Sequence, residues 1–375
     1  MCKGENIVKK VGILTYHTGY NYGASLQAYA LQSVIKNMGI DCEIINFETE
    51  DFLASREMFS RKPRRLKEII KIISRLPYYG SLIKRQNMFD DFTNCCLNIS
   101  PLYRSEKEVK EHACEYDYIV CGSDQIWNLG TPDAPDANIL FFLNFSKKQK
   151  RVSYAASFGK WVNSPHHEEN IIPWLKEFDK ISVREFSGQE YLKAHRIDSN
   201  ITLDPTILLD DNQYDEICAK RQIERKYVLM FSWNCNNDVI TAAKHVSKEL
   251  GYPLYNLTPP PRAMFSGVSR KLDVGPREFL SLIRNAEFVV TNSFHGTAFS
   301  TTFERPYISI VSGDVDPRME SLLKQLGLSD HLVSKDEIDI KHILETDFNI
   351  VREKKKALRK DSFDFLKQAL EVEQC

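Results

Sequence analysis

Four short stretches carry side chains that could do chemistry, and each sits behind an apolar run. They are "YHTGYNYGA" with His17, Asn21 and Tyr22; "GSDQIWN" with Ser123, Asp124, Gln125, Trp127 and Asn128; "ISVRE" with Arg184 and Glu185; and "TNSFHGTAFS" with Asn292, Ser293, His295, Gly296 and Thr297. Small polar residues at a helix start leave backbone N–H groups facing outward, which suits a phosphate or carboxylate beside His295. The histidine can donate a proton or pair with that anion; a histidine hydrogen-bonded inside a core is the competing reading. Asp124 stands among two amides and a tryptophan, a mixture that binds a sugar by stacking and hydroxyl hydrogen bonds, with the carboxylate as base. A turn in which Asp124 only caps the next helix uses the same residues. Arg184 is a planar bidentate donor for carboxylate or phosphate, or else a surface partner of Glu185.

These groups need strands that end at one edge. "KKVGILTYH" reads as a strand, and Leu31, Val34, Ile35 and Met38 then fall at i, i+3, i+4 and i+7 on one helical face, with Gly39 as the stop. "DCEIINFE" completes a β-α-β unit of the kind that builds parallel sheets and collects ligands at strand C-termini. "YDYIVCGSDQIWN", "RVSYAASFG", "KISVRE" and "ITLDPTILL" repeat the strand-then-polar-tip pattern, and a second alternating series runs from "YVLMFSW" to "PYISIVS". "NLTPPPR" is a stiff loop within it, because its prolines continue neither helix nor central strand. The expectation is an α/β chain of two Rossmann-like, doubly wound domains facing a central cleft. They would cover 1–210 and 211–350, with a C-terminal helix over 351–375 docking through Leu358, Phe363, Phe365 and Leu366 on either half.

Composition narrows the function. With 50 Lys+Arg against 51 Asp+Glu in 375 residues, no global field recruits nucleic acid, so any anion is held locally. No stretch approaches the roughly 18 uninterrupted apolar residues of a membrane helix, and the nine cysteines form no CxxC pair. A soluble, cytoplasmic protein with reduced thiols is expected. An insertion at about 55–95 is basic and carries an aliphatic stripe at Ile69, Ile70, Ile72, Ile73 and Leu76. Either it packs on its own domain with a solvated basic face, or its segment 60–90 touches the inner face of a membrane near a lipid-linked substrate. Walker A and GxGxxG patterns are absent, which argues against ATP and nicotinamide by their usual routes.

The ordered motifs "VGILTYHTGYNYGASLQAYALQ", "YIVCGSDQIWN", "SYAASFG", "ISVRE", "LDPTILL" and "VVTNSFHGTAFSTTFERP" resemble the polysaccharide pyruvyl transferase family from about residue 11 to 330. The resemblance implies a GT-B-like pair of Rossmann domains that transfers pyruvate from phosphoenolpyruvate, as co-substrate, to two hydroxyls of a saccharide. It calls for no metal and no cofactor. On that reading His295 is the acid or phosphate partner and Asp124 the base. Arg184, Ser293, Gly296, Thr297 and Arg318 face the donor's phosphate and carboxylate, and His17, Asn21, Tyr22, Gln125, Trp127 and Asn128 face the acceptor, lipid-linked or free. One position departs: Ser293 stands where members of the family carry a basic residue two places before the histidine. A GT-B glycosyltransferase using a nucleotide sugar and a non-catalytic saccharide-binding relative are the rival readings.

Overall fold

The computed structural model describes residues 9–49, 66–129, 139–146, 148–159, 165–232, 234–262 and 267–372. The expected start of the insertion, at 55–65, lies outside them, as does Trp233 of "YVLMFSW".

The apolar runs become short parallel strands, the central ones buried on both faces, the pattern expected when helices cover each side of a sheet. The first sheet contains β1 (Lys10–Leu14), β2 (Asp41–Ile44), β3 (Tyr118–Cys121), β4 (Lys150–Ala156), β5 (Lys180–Val183) and β6 (Asn200–Ile201), in the order β2-β1-β3-β4-β5-β6. The second contains β7 (Val228–Phe231), β8 (Leu254–Asn256), β9 (Ser269–Arg270), β10 (Phe288–Thr291), β11 (Tyr307–Ile310) and β12 (Leu332–Val333), in the order β12-β11-β10-β7-β8-β9. Every ladder is parallel, with Val11 opposite Tyr118 in the first sheet and Phe288 opposite Val228 in the second. Read from β9, the second order is the dinucleotide-fold arrangement, with its direction reversing between β7 and β10. In the first sheet the reversal lies between β1 and β3. The two predicted Rossmann-like sheets are therefore present.

A continuous core joins them. Tyr22, at the start of the helix Tyr22–Asn37, stacks on Phe279 of the second half at 4.3 Å and meets Phe89 of the insertion and Phe231 at the end of β7. Aromatic contacts of this geometry are worth about 0.5–1.5 kcal/mol beyond their buried area. The C-terminal helix begins at Phe348 and not at 351, and it engages both halves instead of one. Arg352 pairs with Glu304, while the Ser362 hydroxyl accepts from the Leu203 backbone and Glu371, just beyond the helix, accepts from the Tyr118 hydroxyl.

The insertion forms the helices Leu66–Arg75 and Tyr79–Cys96. Its stripe does not pack on the domain as a unit: Ile69, Ile70 and Ile73 are 42%, 50% and 60% exposed. The helical repeat turns Lys71 and Arg75 the other way, toward the cleft between the sheets. Among the described residues no helix is long and apolar enough to cross a membrane, and no His/Cys/Asp/Glu group is arranged to hold a metal ion.

Candidate active site

The strand tips of the two sheets border one cleft of about 830 Å³. The loop and first turn of the helix Tyr22–Asn37, with Asp124 and Gln125, form one side; Ser232, Asn292, Ser293, Phe294, His295 and Arg318 form the other. The insertion adds Lys71, Arg75 and Arg85, and the proline loop adds Arg262.

His295 lies in the first turn of the helix Phe294–Thr302, directly after β10, where Ser293 is the cap residue but makes no side-chain cap bond. The ring packs so tightly on Gly23 that a Cβ there would sit 2.0 Å from Nδ1, so only glycine lets the two helix starts approach this closely. His295 is 7% exposed and its Nε2 has no hydrogen-bond partner. Among the described residues it is one of the few such atoms on a residue that lines the cleft, where a ligand can supply the missing partner. Burial lowers the imidazole pKa, and Arg184 and Arg318 add to that fall against the opposing pull of Asp204 and Asp124. The resting ring is therefore neutral at neutral pH.

Behind it lies a charged network. Arg184 Nη1 donates to Asp204 at 2.5 Å and Nη2 to Asp124 at 3.3 Å, while the Ser123 hydroxyl donates to Asp204 at 2.8 Å. Asp204 also accepts from the Thr206 backbone and hydroxyl. Burial alone would raise both carboxyls, but Arg184 outweighs it and, with Arg318 at Asp124 and Thr206 at Asp204, holds both below the usual carboxylate range. Asp124 adopts a left-handed backbone, φ 69°, and accepts from the Gln125 N–H at 2.8 Å, so it closes its own turn while still reaching the cleft. Arg318 makes a two-pronged pair with Asp316 at 2.9 and 2.5 Å, and the Gln125 amide, with its oxygen turned toward the guanidinium, accepts from it at 2.6 Å.

Several expected positions fall elsewhere. Arg184 does not line the cleft: it is buried under the Phe294 ring, 4.4 Å from its centroid, and held by two carboxylates, so it positions Asp124 and is not an open anion clamp. Trp127 is fully buried, donating to Phe141 O at 3.2 Å and packed on Phe142 and Phe158; its large apolar surface is core and cannot stack on a sugar. Asn128 faces the Gln125 amide behind the cleft wall. Thr297 is buried, with its hydroxyl bonded to Ser293 O and Ser309, and Gly296 is packed against Thr291. His17 faces a separate recess, bonded to Thr15 O and Asn46. Asn21 and Tyr22 do border the cleft, but the Asn21 oxygen caps its helix through the Gly23 and Ala24 N–H groups and the Tyr22 hydroxyl donates to Val274 O. What the structure brings together on the cleft wall is Asp124, Gln125, Ser293, His295 and Arg318. Arg75, Arg85 and Arg262 were not picked out in the sequence, because in it they read as part of a basic surface helix and a proline loop.

Among solved structures, the UDP-GlcNAc 2-epimerase of Methanocaldococcus jannaschii, in complex with UDP-GlcNAc and UDP, is 13% identical with a TM-score of 0.52 over 91% of this chain and 93% of its own. The S. aureus MnaA–UDP co-structure is 12% identical with a TM-score of 0.53 over 97% and 98%. At such identities the likeness is one of fold, two Rossmann-like domains of the GT-B type. No curated protein matches the sequence. The model of the polysaccharide pyruvyl transferase family matches residues 21–314, from the cap of the first helix to the cleft residues beyond β11, and this chain belongs to that family.

Proposed function

We propose that this family member transfers pyruvate from phosphoenolpyruvate to two hydroxyls of a saccharide, forming a cyclic ketal. The observation that carries the reading is His295: a buried imidazole with an unpartnered Nε2 at a helix start, within electrostatic reach of Asp124 and Arg318 and opening on the cleft. The backbone N–H groups of that first turn favour the donor's phosphate, and Arg318 is the cation beside them.

A bound dianion raises the pKa of His295, so the ring gains the proton it lacks at rest. That proton passes to C3 of the enol, and the cationic C2 accepts the first hydroxyl oxygen as the C2–O bond to phosphate breaks. The second hydroxyl then closes the ring. Of the two hydroxyl protons, one balances the proton delivered to C3 and the other leaves with phosphate. Asp124, kept ionised by Arg184, accepts a proton from a hydroxyl that becomes acidic only as it bonds to C2. Arg184 acts through Asp124, without touching substrate.

The test is phosphate release from phosphoenolpyruvate in the presence of a saccharide panel, with mass analysis of the acceptor. His295→Ala should lower turnover by about a thousandfold or more, since it removes both proton donor and phosphate partner, while melting stays near wild type. An active variant removes the histidine from the reaction. Thermal stabilisation by a nucleotide sugar and none by phosphoenolpyruvate moves the chain to the glycosyltransferases.

A further inference from the structure

We propose that the cleft holds a second anion site, built by Arg75, Arg85 and Arg262, for a phosphate or diphosphate carried by the saccharide acceptor. This deepens the pyruvyl-transfer reading and rests on it.

Arg85 is the anchor. It projects from the insertion helix Tyr79–Cys96, is 5% exposed, and has no carboxylate partner among the described residues. Its Nη1 and Nη2 make long bonds to Leu257 O and Tyr20 O, at 3.3 and 3.5 Å, and its guanidinium lies 4.5 Å over the Tyr22 ring. Nε is buried with no partner. A buried cation left without a counterion is costly, and carbonyls and ring faces offset only part of that cost.

Further cations line the same wall. Arg75 is drawn to the same place by donating from Nε to Pro260 O at 3.0 Å, and burial with Arg85 and Arg262 pushes its pKa down to about 10. Most of that fall comes from burial, and the neighbouring guanidiniums add to it. Lys71, one turn before Arg75, lines the same cleft. A purely structural role for Arg85, strapping the insertion to the loop after β8, accounts for its two carbonyls. It does not account for the convergence of Arg75 and Arg262 on the same cleft wall or for a buried guanidinium without a carboxylate.

The size and layout of the cleft assign the ligand. At about 830 Å³ it has room for a drug-sized molecule and not only a three-carbon acid, and the donor end is already defined by His295 and Arg318. The arginines belong to the insertion and to the loop at Leu257–Arg262, elements that contribute nothing to the His295 turn. The group they hold is then at the acceptor's end, and planar guanidiniums suit a phosphate or diphosphate.

Calorimetric titration of the full chain with inorganic pyrophosphate, and separately with phosphoenolpyruvate, tests this at fixed ionic strength. In the double variant Arg75→Ala/Arg262→Ala, pyrophosphate affinity should fall at least tenfold while phosphoenolpyruvate affinity changes less than twofold. His295→Ala should show the reverse pattern. Failure of the wild type to bind pyrophosphate overturns the site, and so does pyrophosphate binding that only His295→Ala weakens. Loss of phosphoenolpyruvate affinity in the arginine variant overturns the acceptor assignment, by placing the donor phosphate there. Arginine-dependent pyrophosphate binding with no phosphoenolpyruvate binding at all keeps the anion site and removes the pyruvyl reading. Equal melting temperatures across the variants exclude unfolding as the cause.

Discussion

Between β1 and β3 the Gln27 amide donates to Thr15, its oxygen accepts from the Ser123 N–H, and Arg184 with Asp204 fills the space beneath. Between β7 and β10 the Ser232 hydroxyl donates to Asn292, and the helix that follows leaves the buried Nε2 of His295 without a partner. Both are places where the strand order of a parallel sheet reverses, the position at which such sheets bind ligands. One is closed by its own polar groups, and the other leaves the His295 Nε2 unused. On the proposed reading the first edge acts as support, holding Asp124 in place, and the second receives the anion.

The largest effect should come from cutting the support. Asp204→Asn removes the charge closest to a fully buried guanidinium, and breaking a buried pair this way costs about 3–5 kcal/mol. The equivalent change on the open edge, Asp316→Asn, touches a pair with partial solvent access and should cost distinctly less in chemical denaturation. Equal losses would break the comparison. Acid sharpens it: the folded-state pKa of Asp204 is depressed, so its stabilisation is present above the unfolded value of about 3.9 and drains away as pH falls through the folded value. The gap between wild type and Asp204→Asn should narrow in that range.

A second, smaller effect concerns His295, whose pKa is lowered when the cleft holds no anion. If a phosphate binds beside it, binding takes up as much as one proton. Affinity for phosphoenolpyruvate should then weaken by up to tenfold per pH unit as pH rises between the free and bound pKa values. Calorimetry in buffers of different ionisation enthalpy counts the proton directly. His295→Gln should lose that uptake, and the ligand's own titration cancels in the difference. An unchanged proton count would mean that the phosphate is not beside the ring.

The contrast between the two edges explains what the sequence revealed. Strand tips, the β-α-β units and the histidine turn were legible because apolar runs ending in small polar residues have few other uses in a parallel sheet. The roles of Trp127 and Arg184 were not, since a tryptophan that stacks on sugar and one that packs on Phe142 have the same neighbours in the chain. Only the path of the chain after residue 180 shows that Asp204 comes to meet Arg184. Arg85 was hidden for a related reason: a basic residue in a basic helix reads as solvated until the fold buries it against Tyr22.

The smallest expected effect tests the open edge by adding to it. Ser293 borders the cleft, makes no side-chain cap bond, and has an ordinary extended backbone at φ −102°, so an arginine there disturbs little. A charge-assisted bond to phosphate contributes about 1.5–3 kcal/mol, from which the repulsion of nearby Arg318 and the ordering of a long side chain must be subtracted. Ser293→Arg should therefore tighten phosphoenolpyruvate binding by roughly tenfold, or about 1.4 kcal/mol, while leaving pyrophosphate affinity at the Arg75 and Arg262 wall within twofold. If both ligands tighten together, the two anion sites are one. If neither responds, the donor phosphate does not rest on the His295 turn, and the second edge is no more open to an anion than the first.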